Sequence, residues 1–178
     1  GVDCEVFEAV KEIKPVVAAI SIWPNGVKCM QHLGMGEIIE NYGGPMHFLA
    51  YKDYLRGENL TQFSLAPLVE RTGGRPCPVS RTALQREMLD FWGRDDVQFG
   101  KRVTRCEEHA DGVRVWFTDG SMAEGDFLIA ADGSHSALRP YVLGFSPERR
   151  YAGYVNWNGL VEIDEAIAPG NQWTTFVG

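Results

Sequence analysis

Hydrophobic positions along this chain recur with two periods, and the switches between them mark out its elements. Residues 4–8, CEVFE, alternate and close on Glu8, which predicts a short buried strand. Behind Pro24, the residues Val27, Met30 and Leu33 return at helical spacing, and Gly34 follows at once. Proline suits a first helical position because its missing N–H has no partner there, so a helix from Pro24 to Leu33 is expected. A second short helix is expected from Glu37 to Asn41, ahead of the break Gly43-Gly44-Pro45. Residues 46–68, HFLAYKDYL and then TQFSLAPL around Arg56-Gly57-Glu58-Asn59, predict an antiparallel hairpin.

Past Gly73-Gly74-Arg75-Pro76, the run Cys77-Pro78-Val79-Ser80-Arg81 leads into a helix with the apolar face Leu84, Met88, Leu89 and Trp92. Ser80 or Thr82 is its expected cap and Gly93 its stop. Val97 to Phe99, Val103 to Glu108 and Val113 to Phe117 predict three strands, with tight turns at Asp111-Gly112 and Asp119-Gly120. Phe127-Leu128-Ile129-Ala130-Ala131 is apolar throughout, as in a strand buried on both faces of a parallel sheet, and it stops at Asp132-Gly133. A short helix capped by Ser134 or Ser136 and interrupted at Pro140 is expected next. Residues 151–163 alternate again and predict a strand with Tyr154, Asn156 and Asn158 on one face. The expected class is mixed α/β, with parallel and antiparallel sheet elements. The opening residues read as a turn running straight into a strand and the closing WTTFVG as a strand cut short, so the chain reads as a piece of a longer polypeptide.

Composition changes this picture little. The 178 residues are 44% apolar and 23% charged, enough for a real core in a soluble globular protein. A net charge of −7 offers no basic field to gather nucleic acid or an anionic membrane surface. The four cysteines, Cys4, Cys29, Cys77 and Cys106, form no CxxC pair and no zinc-type spacing; they read as reduced core thiols, and no metal site is expected. With no apolar run near the ~20 residues of a membrane span and no signal-like N-terminal segment, cytoplasm is the expected compartment.

Several chemistries lack their motifs, among them GxxxxGK[ST], HExxH, GxSxG and the EF-hand loop. Ser134-His135-Ser136 sets a nucleophile type beside a base type, but neighbours in sequence point apart, so no dyad is expected. Gly34-Met35-Gly36 follows a helix and reads as its C-terminal stop. Glu8 closes a strand, where an acid either accepts hydrogen bonds from ribose hydroxyls or is simply solvated. Asp132-Gly133 closes the apolar run: the aspartate there either binds sugar hydroxyls or caps a turn, and the glycine allows close backbone approach.

Taken together, these residues resemble the FAD-dependent aromatic-ring monooxygenases of the para-hydroxybenzoate hydroxylase type. The resemblance is carried by Glu8, by Ala18-Ala19-Ile20-Ser21 through Pro24-Asn25-Gly26 to Leu33-Gly34, by Ser80-Arg81 with Leu84, and by Ala131-Asp132-Gly133-Ser134-His135-Ser136-Ala137-Leu138-Arg139. PVSRTALQREMLDFWGRDDVQFGKRVTRCEE and YAGYVNWNGLVEIDEA are similar, more narrowly, to the bacterial urate-hydroxylating members of that family. The resemblance implies a Rossmann-like FAD-binding domain with an inserted antiparallel substrate domain. In it, 1–45 and 77–147 belong to the FAD part, 46–76 form a hairpin of the substrate part and 148–178 begin its sheet.

It further implies FAD as cofactor, NADH as co-substrate, and hydroxylation of urate by O2 through a flavin hydroperoxide to 5-hydroxyisourate, a step of purine breakdown. Glu8 would hold the adenosine ribose with Ala9 beside it, and Ser21 would lie near the flavin. Arg81 would approach the dinucleotide, Val103 would offer backbone to the adenine side, and Asp132 with Gly133 would meet the phosphate and ribityl region. Asn156 would contact the substrate; no catalytic residue is assigned. Where the family has glycines before Ser21, this chain has Val17 and Ala19, and a β-branched residue disfavours φ > 0. The glycine-rich phosphate loop and the later Gly-Asp segment are not in the sequence, so the piece by itself is expected to be inactive. Another hydroxylase of the same fold, salicylate- or kynurenine-type, and a flavin-free binding domain are the alternative readings.

Overall fold

A computed structural model describes residues 2–14 and 18–178; the departure at Val17 lies outside the described residues. In chain order the first elements are β1 (Val6–Glu8), β2 (Ala19–Ile22), α1 (Pro24–His32), α2 (Gly36–Tyr42), β3 (Phe48–Asp53) and β4 (Asn59–Ser64). Next come α3 (Ala66–Thr72), β5 (Cys77–Ser80), α4 (Arg81–Trp92), a 3-10 turn (Arg94–Asp96) and β6 (Val97–Phe99). The last are β7 (Val103–His109), β8 (Gly112–Phe117), β9 (Met122–Gly125), α5 (Arg139–Leu143) and β10 (Gln172–Val177). The mixed α/β class is as expected. The chain divides into two compact units, Gly1–Ile13 with Gly93–Asn156, and Lys14–Trp92 with Trp157–Gly178.

The first unit joins a parallel pair, β1 beside β6 with Val6 opposite Val97, to the antiparallel meander β7-β8-β9. Alternation sorts the meander's faces. Cys106, Val115 and Phe117 are buried with Leu138, and Phe7, Val103, Val113, Ala123 and Leu128 pack around them. The Phe7 and Phe117 rings meet at 4.8 Å between centroids. The other face is polar: the Arg105 guanidinium lies 3.8 Å from the Trp116 ring centre, and Arg114 pairs with Glu124 across the strands at 2.7 Å. At the β8–β9 turn Asp119 accepts from Lys101 Nζ at 2.7 Å and from the Ser121 hydroxyl and N–H. These hydrogen bonds hold its carboxyl far below the usual carboxylate range. Glu124 is lowered too, chiefly by its hydrogen bond from Arg114.

In the second unit, Val27 and Met30 of α1, Met35 just before α2, Ile38 and Ile39 of α2, Cys77 and Val79 of β5, and Leu84 of α4 form one core. Strand β5 lies antiparallel to β2, and a separate sheet runs in the order β10-β3-β4. The hairpin expected over 46–68 forms between β3 and β4, but its second strand stops at Ser64. Residues from Ala66 instead make α3, because the Ser64 hydroxyl accepts the Ala66 N–H and Pro67 occupies a first-turn position that needs no donor. Helices α1, α2 and α4 match the expected ones, and Ser80 Oγ accepts from the Ala83 N–H at 3.4 Å.

Four expectations fail. Phe127–Ala131 forms no strand, and Phe127 and Ile129 are 67% and 76% exposed. Likewise, 151–163 is irregular and exposed throughout. The reason is common to both: a strand exists only as part of a ladder, and no strand among the described residues pairs with either segment. Pro140 lies in the first turn of α5 rather than interrupting a helix. Of the cysteines, all free, only Cys77 and Cys106 are core thiols; Cys4 and Cys29 are exposed. No helix among the described residues is long and apolar enough to cross a membrane.

Phe117→Ala, which removes the ring at the centre of the meander core, is expected to cost about 3–5 kcal/mol of stability, read from the urea midpoint. Because Asp119 and Glu124 are depressed in the folded state, the stability they contribute is present above their unfolded values near pH 4 and is lost as pH falls further. Urea midpoints are therefore expected to fall between pH 5 and 2, and Asp119→Asn to flatten that slope.

Candidate functional site

In the first unit, the side chains singled out from the sequence hang on the meander core. Glu8 ends β1, one residue after the buried-side Phe7, and its Oε1 accepts the Val10 N–H at 2.9 Å, which fixes the turn through half-buried Ala9. The Glu8 carbonyl accepts the Lys101 N–H at 2.9 Å, and the Val10 carbonyl accepts that of Gly100. These two bonds bring the end of β1 to the start of β7, where Val103 packs into the same core. The structure therefore places Glu8, Ala9 and Val103 in one neighbourhood.

The Asp132–Gly133 loop is bracketed by Leu128 and Leu138, both in that core. Asp132 Oδ2 accepts the Ala137 N–H at 2.8 Å and the Leu138 N–H at 3.3 Å. Partial burial alone would raise the Asp132 carboxyl, but hydrogen bonds from the Ser136 hydroxyl and from backbone N–H groups outweigh it and leave the group below its ordinary value. Gly133 has φ +77°, with open space where a Cβ would stand. Any other residue would be strained here, and the open side leaves the backbone approachable. Arg139 closes the loop, donating from Nη2 to the Gly133 carbonyl at 2.9 Å and from Nη1 to that of Ser134 at 3.2 Å. The aspartate is thus a turn cap as well as a candidate ligand, and both readings of it survive.

Sequence reasoning missed Ser136 and Arg139 as organisers of this loop. Their signal was present, since a serine four residues and an arginine seven residues after an Asp-Gly turn can reach back to its orphan donors and acceptors. Beside the loop lies an open cavity of about 240 Å³ lined by Ser134, His135, Ser136, Arg139, Ser146 and Arg149, among others. Arg149 Nη1 lies 2.8 Å from the His135 ring nitrogens, so a guanidinium lines the cavity wall beside the imidazole. Asn156 is exposed on irregular backbone and not on the expected strand, for the want of a ladder partner described above.

In the second unit, Ser21 is half-buried in β2 and faces Pro78 of β5. Arg81 begins α4 with an exposed side chain, and its N–H donates to the Ala18 carbonyl at 3.0 Å. Ser21 thus lies toward the Ile22–Cys77 end of the β2–β5 ribbon and Arg81 at its Ala19–Ser80 end.

In the first unit a strand-end carboxylate for sugar hydroxyls and an open glycine in a left-handed turn are donors and acceptors that suit a nucleotide; in the second, Ser21 offers a half-buried hydroxyl and Arg81 an exposed guanidinium.

Comparison with known proteins agrees with that chemistry. The chain is 92% identical over all 178 residues to the FAD-dependent urate hydroxylase of Klebsiella oxytoca, and 45% identical over 180 aligned residues to that of Mycolicibacterium vanbaalenii. It spans 46% of the length of each, so about half of the relatives it matches. Among solved structures, Klebsiella pneumoniae HpxO complexed with FAD and uric acid superposes with a TM-score of 0.95 at 79% identity, over the whole chain and 45% of that protein. The FAD binding domain family matches residues 1–166, nearly the whole chain, and the chain therefore belongs to that family.

Proposed function

We propose that this chain is the part of an FAD-dependent urate hydroxylase that holds the ribose acid, the Asp-Gly loop and one wall of the substrate site. The single observation that carries the reading is the 92% identity, across every residue of the chain, to the Klebsiella oxytoca enzyme of that activity. The polypeptide then uses NADH and O2 to hydroxylate urate at C5, giving 5-hydroxyisourate. When bound, FAD supplies the redox chemistry, accepting reducing equivalents and activating oxygen.

The chain's own residues bind and orient. Glu8 accepts hydrogen bonds from the adenosine ribose through the oxygen that does not bond Val10, and Ala9 and Val103 offer backbone on the adenosine side. Asp132 and Gly133 meet the phosphate and ribityl region, where the open side of the glycine lets the ligand approach. Ser21 serves the flavin end, and Arg81 the dinucleotide. Asn156 contacts urate, whose alternating donors and acceptors match an amide that offers one of each. The guanidinium groups of Arg139 and Arg149 on the cavity wall suit the phosphates of a nicotinamide dinucleotide. On this reading, 1–45 with 77–147 belong to the cofactor part and 46–76 with 148–178 to the substrate part.

A polypeptide of the relatives' full length that carries this chain is expected to purify yellow and to oxidise NADH faster when urate is added. Stimulation by a phenolic acid in place of urate would identify another hydroxylase of this fold. Colourless protein that FAD cannot reconstitute would show a flavin-free binding domain. Asp132→Ala, which removes the acceptor for two backbone N–H groups, is expected to weaken FAD binding by about 10- to 100-fold. Since the Asp132 carboxyl is depressed in the folded state, its contribution holds above about pH 4. Flavin release on acidification below that pH is expected in the parent, with a weaker pH dependence in Asp132→Ala, where only the acid-labile fold contributes.

A further inference from the structure

We propose that Arg75 is a positioning residue for the cofactor, acting on Ser21 and Arg81 through the two-stranded β2–β5 ribbon and the Gly43-Gly44 segment bridged to it; the proposal rests on the FAD reading above. Arg75 is half-buried, and its Nη1 donates to the carbonyl of Gly44, 31 residues earlier in the chain, at 2.8 Å. The segment it grips, Gly43-Gly44, forms the outer edge of the ribbon. Gly43 bridges Val79 in antiparallel fashion, and the Gly44 N–H donates to the Pro78 carbonyl at 2.8 Å.

This edge cannot be held by side chains of its own. A Cβ at Gly43 would collide with Cys77 Sγ and with the Ile39 carbonyl, so the approach of the segment to β5 depends on backbone bonds and on the Arg75 anchor. On its far side β5 pairs with β2, and the register sets Val79 opposite Ile20 and Pro78 opposite Ser21. The same Val79 thus bridges Gly43 on one edge and Ile20 on the other. Strand β5 then runs directly into Arg81, whose N–H is tied back to Ala18. With four residues in each named strand, a shift of β5 toward a released edge reaches both Ser21 and Arg81. A guanidinium bonded to a backbone carbonyl is a directional anchor that a hydrophobic contact cannot replace.

The test uses the full-length polypeptide, with FAD affinity measured by fluorescence titration and the flavin environment by circular dichroism in its visible band. Arg75→Ala is expected to raise the FAD Kd about tenfold, the factor set by one hydrogen bond to a charged group, and to alter the visible dichroism. Arg75→Lys, which keeps one cationic donor, is expected to stay within about threefold of the parent, and Arg75→Gln to fall between the two. The KM for urate is expected to change less than twofold, because the ribbon carries the effect of Arg75 to Ser21 and Arg81. If Arg75→Ala does not fold, the Lys and Gln variants read the same effect. Parental Kd and dichroism in the variants that fold overturn the role of Arg75 alone. Absence of FAD from the unsubstituted protein, by contrast, overturns the flavin reading on which the proposal rests.

Discussion

Burial of Leu138 in the meander core is the contact on which the candidate cofactor loop depends. Leu138 is 4% exposed and shares its cluster with Leu128, Val103 and Phe7. Burying one such side chain contributes about 1.5–3 kcal/mol, and here that contribution closes the chain between 128 and 138 into a loop. Within it, Asp132 satisfies two N–H groups and Arg139 two carbonyls, so polar bonds refine a path that apolar burial has already set. The same cluster holds Phe7 next to Glu8 and holds Val103 itself. The proposed adenosine and phosphate contacts Glu8, Ala9, Val103, Asp132 and Gly133 therefore share one anchor.

The second unit solves a different problem with a different device. Strand β5 is short and is buried at Cys77, which is fully inaccessible and whose thiol is pushed up by burial, with Arg75 opposing the rise. Here the chain comes too close for side chains, and glycine is required at Gly43 by the space that Cys77 and Ile39 already occupy. Order comes from backbone pairing on both edges of β5 and from an arginine that reaches across.

These features also bear on how an acidic chain, at net −7, would serve the anionic ligand proposed for it. Many of its cations are committed to structure. Lys101 and Arg114 neutralise carboxylates on the meander, Arg105 lies on Trp116, and Arg75 and Arg139 bond backbone carbonyls. Recognition is then left to glycine backbone, hydroxyls and a few guanidinium groups, where local geometry matters more than total charge.

Local chemistry was legible wherever one segment contains its own solution. The helix from Pro24 was legible from its proline start, its spacing and its glycine stop, and the meander from its Asp-Gly turns and alternation. Glu8 was legible as a candidate from its type and its place at a strand end, and the Asp-Gly motif from its residue types, although the run before it forms no strand. What tertiary structure alone decided was pairing. Phe127–Ala131 and 151–163 have strand patterns but no neighbouring strand among the described residues, whereas Gly43-Gly44, which looks like a mere break, is the edge of a ribbon. A strand's pattern records which faces it could bury, but its hydrogen bonds belong to another segment. No stretch of sequence, taken alone, determines whether that partner is present.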